Sequence, residues 1–236
     1  MIRALALRLK GPMQSWGGPV AGNDRPSLDV PTKSGVIGLV AGALGVERTE
    51  VERLAQLHQA FALAVRIDKR GTVGVDYHTT LNVPTAEGNV RKDAVISKRR
   101  YIYDASFAAL LVARDSAPPL EEIAHALRHP RFAPFLGRRA CVPSGRVFDR
   151  GPIEGADWKA LFDQVPVDSD QPDEAPHDVH LDEELAPGIV HRRRRQRDVL
   201  IGRLPRLFGE RVVHVVAGGL PQGASTAKET IDPWMP

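Results

Sequence analysis

Three stretches near the start of the chain gather groups that suit a phosphate ligand. They are GPMQSWGG at residues 11–18, Arg25 before Pro26, and PTKSG at 31–35, which opens the apolar run GVIGLVAGALG. A donor-rich turn delivered to a helix N-terminus presents backbone N–H groups and the positive end of the helix dipole to an anion, which points to the backbone of RNA or DNA. Lys33 is an unfavourable residue at a helix start unless an anion lies near, so Lys33 and Ser34 are expected to hold phosphate. Gln14 is the expected RNA contact of the first stretch. Trp16 is expected instead to brace the loop from behind, because tryptophan is usually largely buried.

A second constellation lies between residues 69 and 104. All three tyrosines, Tyr77, Tyr101 and Tyr103, stand there beside Lys98, Arg99 and Arg100. Aromatic rings outside a core, interleaved with cations, can stack on bases and neutralise phosphates of single-stranded nucleic acid. A solvated hairpin with cross-strand tyrosine pairs fits the same residues equally well. His78 with Lys98 also supplies the residue types for metal-independent RNA cleavage: an imidazole to move a proton and a cation to stabilise the oxyanion. Spacing alone does not bring the two together. The run Arg192 to Arg195 with Arg197 ranks below this region as an RNA site, because strand alternation would turn half of it to solvent. Contact of that run to DNA or to a partner subunit stays open.

Other chemistries find little footing. PTKSG lacks the leading glycine and Gly-Lys pair of a nucleotide-phosphate loop, and no GxGxxG or serine nucleophile elbow is present. His125 with His129 and His177 with His180 lack the surrounding ligands of a zinc site. No metal or cofactor is therefore expected. The lone Cys141 cannot form an internal disulfide, and the absence of a leader-like or membrane-length apolar run points to a cytoplasmic protein without membrane contact.

The net charge of +3 understates the basicity of the body. Residues 168–184 hold eight acids and no Lys or Arg, and are expected to form a solvated acidic loop, so the remainder carries eight more positive charges than the whole. Such asymmetry suits a polyanionic partner.

Positioning these groups requires a mixed architecture. Leu5, Leu7 and Leu9 alternate with Ala4, Ala6 and Arg8, which predicts a half-buried strand. Gly38 and Gly42, one turn apart in the first helix, would let it sit close to a neighbouring backbone. Val51, Leu54, Ala55 and His58 give a second helical stripe, and Phe61, Leu63, Val65 and Ile67 a second strand. Two limbs, 75–83 and 94–103, joined by a polar tip at Glu87-Gly88-Asn89, protrude before a third strand at 105–113 and a helix marked by Leu120, Ile123, Ala124 and Leu127. The order matches the opening of a split β-α-β, ferredoxin-like unit, whose antiparallel sheet also underlies RNA-recognition modules. From Cys141 onward short strands and loops suggest a smaller β-rich domain over 141–236, with a polar C-terminal tail.

GPMQSWG, RP followed by PTKSG and its helix, DYHTTL, SKRRYIYDASF and PRFAPFLGRRAC follow one another in an order and spacing that resemble the CasD family. That family is the RAMP-superfamily subunit of the type I-E CRISPR Cascade complex. The likeness covers nearly all of residues 1–141 and thins through 150–220, where RLPRLF and the final VVAGG are the main anchors. It implies an α+β fold: a ferredoxin-like, RRM-like RAMP domain over 1–140 with a β-hairpin thumb at about 69–104, then the smaller β-rich domain. It further implies a non-catalytic subunit that binds and caps the 5′ handle of the crRNA. Such a subunit links CasC-type backbone subunits to the CasA-type large subunit and meets target DNA only through the complex.

Carried onto this sequence, Gln14, Arg25, Lys33 and Ser34 would line the handle groove. Arg99 and Tyr101 would sit where handle gives way to guide, and Arg138 and Arg139 would add phosphate contacts. His78 and Lys98 join the RNA-binding set, because in this subtype a separate subunit, CasE, processes the repeat. A metal-independent endoribonuclease is the runner-up function and a generic single-strand RNA-binding module the third.

Overall fold

The computed structural model describes residues 1–18, 20, 22–91, 93–168, 178–186, 192–200 and 208–217. Most of the expected acidic loop (169–177), His177, RLPRL of the RLPRLF anchor and the tail beyond 217 lie outside the described residues.

Strand β1 (Ile2–Lys10) alternates as its sequence predicts, yet it is not half-buried. Leu5, Leu7 and Leu9 pack with helices α1 (Lys33–Ala43), α2 (Val51–Ala60) and α3 (Leu120–Arg128). Ala4 and Ala6, on the face expected to meet solvent, are equally buried, against Trp158, Leu161 and Phe162 of the short helix α4 (Trp158–Phe162). The alanines are small enough for a second layer to close over the sheet, so apolar residues on both faces mark a strand covered twice.

The remaining strands are β2 (Met13–Gln14), β3 (Asp24–Arg25), β4 (Phe61–Lys69), β5 (Thr72–Thr80), β6 (Val95–Tyr103), β7 (Ser106–Ala113), β8 (Phe148–Gly155), β9 (Val179–Asp182), β10 (Arg192–Leu200) and β11 (Phe208–Val216). Seven of them form one antiparallel sheet in the order β10-β11-β9-β4-β7-β1-β8. Strands from residues 141–236, expected as a separate unit, thus extend the sheet begun by β1, β4 and β7 at both ends. β8 pairs with β1, and β9 pairs with β4.

Helix α1 begins at the N-cap Thr32, whose hydroxyl accepts the Gly35 N–H at 3.1 Å. The glycine that packing requires is Gly35 rather than Gly38 or Gly42. A Cβ at Gly35 would lie 2.8 Å from the Trp16 ring, whereas nothing approaches within 4 Å at the other two. Between β4 and β7 the chain leaves the large sheet as the β5–β6 hairpin, with β2 and β3 joining β6 in a second, smaller sheet.

Candidate nucleic-acid interface

Strand β6 is where the separated motifs meet. One edge pairs with β5 from Thr72↔Tyr103 to Thr80↔Val95. The other edge takes β2, at Met13↔Tyr103 and Gln14↔Ile102, and then β3 in parallel, at Asp24↔Lys98 and Arg25↔Arg99. The loop at 136–139 docks on the same region, with the Ser15 N–H donating to the Leu136 carbonyl at 3.1 Å. Gly137 has φ +89°, and a Cβ there would overlap the Ser15 carbonyl oxygen, so only glycine permits this approach. Arg138 then ties the assembly together. Its Nη1 donates to the Arg100 carbonyl at 3.2 Å, its Nη2 to the Arg25 carbonyl at 2.8 Å, and its guanidinium lies 4.8 Å from the centre of the Tyr101 ring.

Strand alternation sorts the hairpin residues into two faces. The register places Asp76, His78, Ser97, Arg99 and Tyr101 on one, and Val73, Val75, Tyr77, Ile96, Lys98 and Arg100 on the other. Arg99 Nε donates to the Ser97 hydroxyl at 3.3 Å and is half-buried. Tyr77 is 66% exposed, with the Lys98 ammonium 5.8 Å from its ring centre. His78 and Lys98 therefore project from opposite faces and do not form the acid–base and cation set that cleavage requires. Tyr101 is buried beneath Arg138, so its ring braces the hairpin base.

Several residues expected in the groove sit elsewhere. Gln14 is completely buried. Its Nε2 donates to the carbonyls of Leu9 at 3.1 Å and Ala105 at 2.8 Å, and its Oε1 accepts the Trp16 indole N–H at 2.9 Å. The side chain has no donor left for a ligand, which corrects its expected role. Trp16 is buried behind the loop, as its type predicts. Lys33 is buried too, its ammonium 2.9 Å from Asp182 Oδ2 and its backbone N–H 2.7 Å from Asp198 Oδ2. The anion that the helix start demands is internal, two carboxylates from β9 and β10, not a phosphate. Ser34 is half-buried, with its hydroxyl 3.4 Å from that of Thr32.

Arg211 completes this network by donating to both Asp182 and Asp198. Burial pushes the Lys33 ammonium below its usual pKa, against the opposing pull of Asp182. Burial would raise the Asp182 carboxyl, but Arg211, Lys33 and the Leu63 N–H outweigh it and hold it below the usual carboxylate range. The ends of the acidic segment are paired in the same way. Asp168 binds Lys10 and Ser106, and Glu184 binds Arg114. Sequence reading overlooked Asp198 and Arg211. The available signal was Gln196 and Asp198 at two-residue spacing within an arginine run, which marks an inward polar face.

Exposed cations remain around the β6 base. Arg25, Lys98 and Arg139 are exposed and Arg99 half-buried. With the exposed Tyr77 ring they can neutralise phosphates and stack on a base. Burial raises the Cys141 thiol, which disfavours the nucleophilic thiolate. Among the described residues no cluster of His, Cys, Asp or Glu could hold a metal ion, and no helix is long and apolar enough to cross a membrane.

Comparison with known proteins finds a profile described as CRISPR-associated protein Cas5 matching residues 4–200. The chain is 33% identical over 227 residues to the CRISPR system Cascade subunit CasD of Escherichia coli strain K12, covering 92% of this chain and 96% of that protein. Among solved structures, a chain of a CRISPR RNA-guided surveillance complex superposes with a TM-score of 0.73 at 31% identity, over 93% of this chain and 91% of that one. A second, described as the crystal structure of a Cas protein, gives 0.64 at 28% identity, over 91% and 94%.

Proposed function

The chain belongs to the Cas5 family of CRISPR-associated proteins and is a Cascade subunit of the CasD kind; from that premise we propose that it binds the 5′ handle of the crRNA without cleaving it. The strand order β4-β7-β1-β8, with α1 and α2 between β1 and β4 and α3 between β7 and β8, supports a ferredoxin-like reading. The β5–β6 hairpin is then the thumb. The unit takes its fourth strand from β8, past the boundary at residue 140 that the sequence suggests.

The observation that carries this reading is the convergence on β6. Segments 11–18, 24–27 and 136–139 fix the hairpin base and leave Arg25, Lys98, Arg99 and Arg139 around it. Phosphates of the handle meet these cations, and Tyr77 offers a stacking face to an unpaired base. Gln14, Lys33 and Arg138 act one layer back, holding the loops that present the contacts. Docking between CasC-type backbone subunits and a CasA-type large subunit follows from the same premise, with target DNA engaged through the assembled complex. The opposed faces of His78 and Lys98 weigh against the endoribonuclease alternative.

The test is guide-RNA retention in the co-purified complex. The double variant Lys98→Ala with Arg99→Ala is expected to lose most of the bound crRNA while the subunit stays folded. Full retention would overturn the thumb assignment. Incubating the wild-type chain with repeat RNA in EDTA is expected to give no product. Cleavage abolished by His78→Ala would restore the nuclease reading.

A further inference from the structure

The arginines of β10 play no part in the interface above. β10 is an outer strand of the seven-stranded sheet, hydrogen-bonded in the ladder to β11. Its inward face is fixed by buried Gln196 and Asp198, with Gln196 Nε2 donating to Asp198 Oδ2 at 2.7 Å and Asp198 held by Arg211 and the Lys33 N–H. Alternation then sends Arg193, Arg195 and Arg197 outward, and all three are exposed. The register with β11 runs unshifted from Arg192 to Arg197, so these side chains form a straight row before the irregularity that follows.

Opposite them on β11 stand His214, Val212 and Glu210. Glu210 lies 4.0 Å from Arg195 Nη1, Glu183 lies 3.9 Å from His214 Nε2, and the Arg195 side chain is 73% exposed. Elsewhere in this sheet the chain matches its cations closely. Arg8 meets Asp68 and Asp149, Arg66 meets Asp68, Arg114 meets Glu184, and Arg211 meets Asp182 and Asp198. Among the described residues the β10 row carries one ion pair, the long contact of Arg195 with Glu210, and is otherwise unmatched.

Residues two apart on a strand advance about 6.8 Å. Measured along the axis of a duplex, two phosphate steps of one strand rise by about the same amount, at roughly 3.4 Å each. The one aromatic ring among the residues paired with these three arginines, the His214 imidazole, is buried, so the face offers no stacking platform of the kind that holds single strands. We propose that Arg193, Arg195 and Arg197 form a second nucleic-acid site, which holds the phosphodiester backbone of a duplex and is separate from the hairpin base.

The experiment compares the full chain with R193Q/R195Q/R197Q. Affinity for a short duplex of arbitrary sequence, as DNA and as RNA, and for repeat RNA is measured against salt concentration. For duplex DNA the slope of log affinity on log salt is expected to fall by about 2.7 in magnitude, three phosphates at about 0.9 each. The repeat-RNA slope should not move, and R193K/R195K/R197K should restore the duplex slope. A loss confined to duplex DNA or shared with duplex RNA identifies the source of the backbone, and either supports the site. An unchanged duplex slope, or no duplex binding by the wild type, overturns the proposal. So does an equal loss for duplex and repeat RNA, which would make the two regions one surface. Loss of a co-purifying protein subunit with duplex binding intact would make the row a protein contact. The repeat-RNA arm reports on the handle-binding reading separately.

Discussion

The start of α1 and the base of the β5–β6 hairpin are both basic, and the chain treats their charges in opposite ways. At α1, Lys33 is buried and Asp182, Asp198 and Arg211 close around it. At the hairpin, Lys98 stays exposed and Arg99 donates to a hydroxyl of its own strand, with no carboxylate partner among the described residues. A lysine at a helix start calls for an anion in both a ligand site and a folded core. What separates the two is whether the chain returns with carboxylates of its own. A buried charge must be paired to be tolerated, whereas an exposed one is already solvated and free to exchange water for phosphate.

The largest effect that could break this comparison is on stability. Asp182→Ala leaves Lys33 and Arg211 buried with less counter-charge and is expected to cost about 3–5 kcal/mol, read from urea unfolding. Lys98→Gln at the hairpin should stay within about 0.5 kcal/mol. Comparable costs for the two would erase the distinction between paired and presented cations.

A pH measurement sharpens the same contrast. Burial, with Arg194 as the next cause, lowers His180 on β9 to about 4. Its folded pKa lies below its unfolded value, so protons favour the unfolded chain. The stability due to neutral His180 is fully present above about pH 6.5 and is lost as pH falls toward about 4. On the order of 3 kcal/mol is expected to disappear across that window. His180→Leu should flatten the decline, and an equally steep curve in that variant would remove His180 from the account.

The smallest effect is at the hairpin itself. Lys98→Gln should reduce the salt slope of repeat-RNA binding by about 0.7, the contribution of one single-strand phosphate. An unaltered slope would place Lys98 outside the RNA path.

Periodicity made β1, β4 and α3 legible, because each repeats an apolar residue at the spacing of its own element, and β7 was legible as a short unbroken apolar run. The hairpin was legible from its length and its tyrosines. What escaped was long-range pairing. Nothing local in PTKSG says that Asp198, 165 positions on, will supply its anion, and nothing in GPMQSWG says that Gln14 will turn inward to two carbonyls. Ala4 and Ala6 read as an outer face in the sequence because small residues do not reveal a second layer, which α4 supplies. The site was thus legible as a neighbourhood, since the motifs do gather on β6, but the roles within it divide between presenting a charge and bracing the residue that presents it.

The separation between Lys33 and Asp198 also has a consequence in time. A ribosome adding about 5–20 residues per second needs roughly 8–33 s to travel the 165 positions between them. Throughout that interval the nascent chain carries a cationic helix start whose β10 carboxylate has not yet been made. Closure of α1 onto β10 is therefore a late event of synthesis, and the fold reaches its final charge pattern only as its last strands emerge.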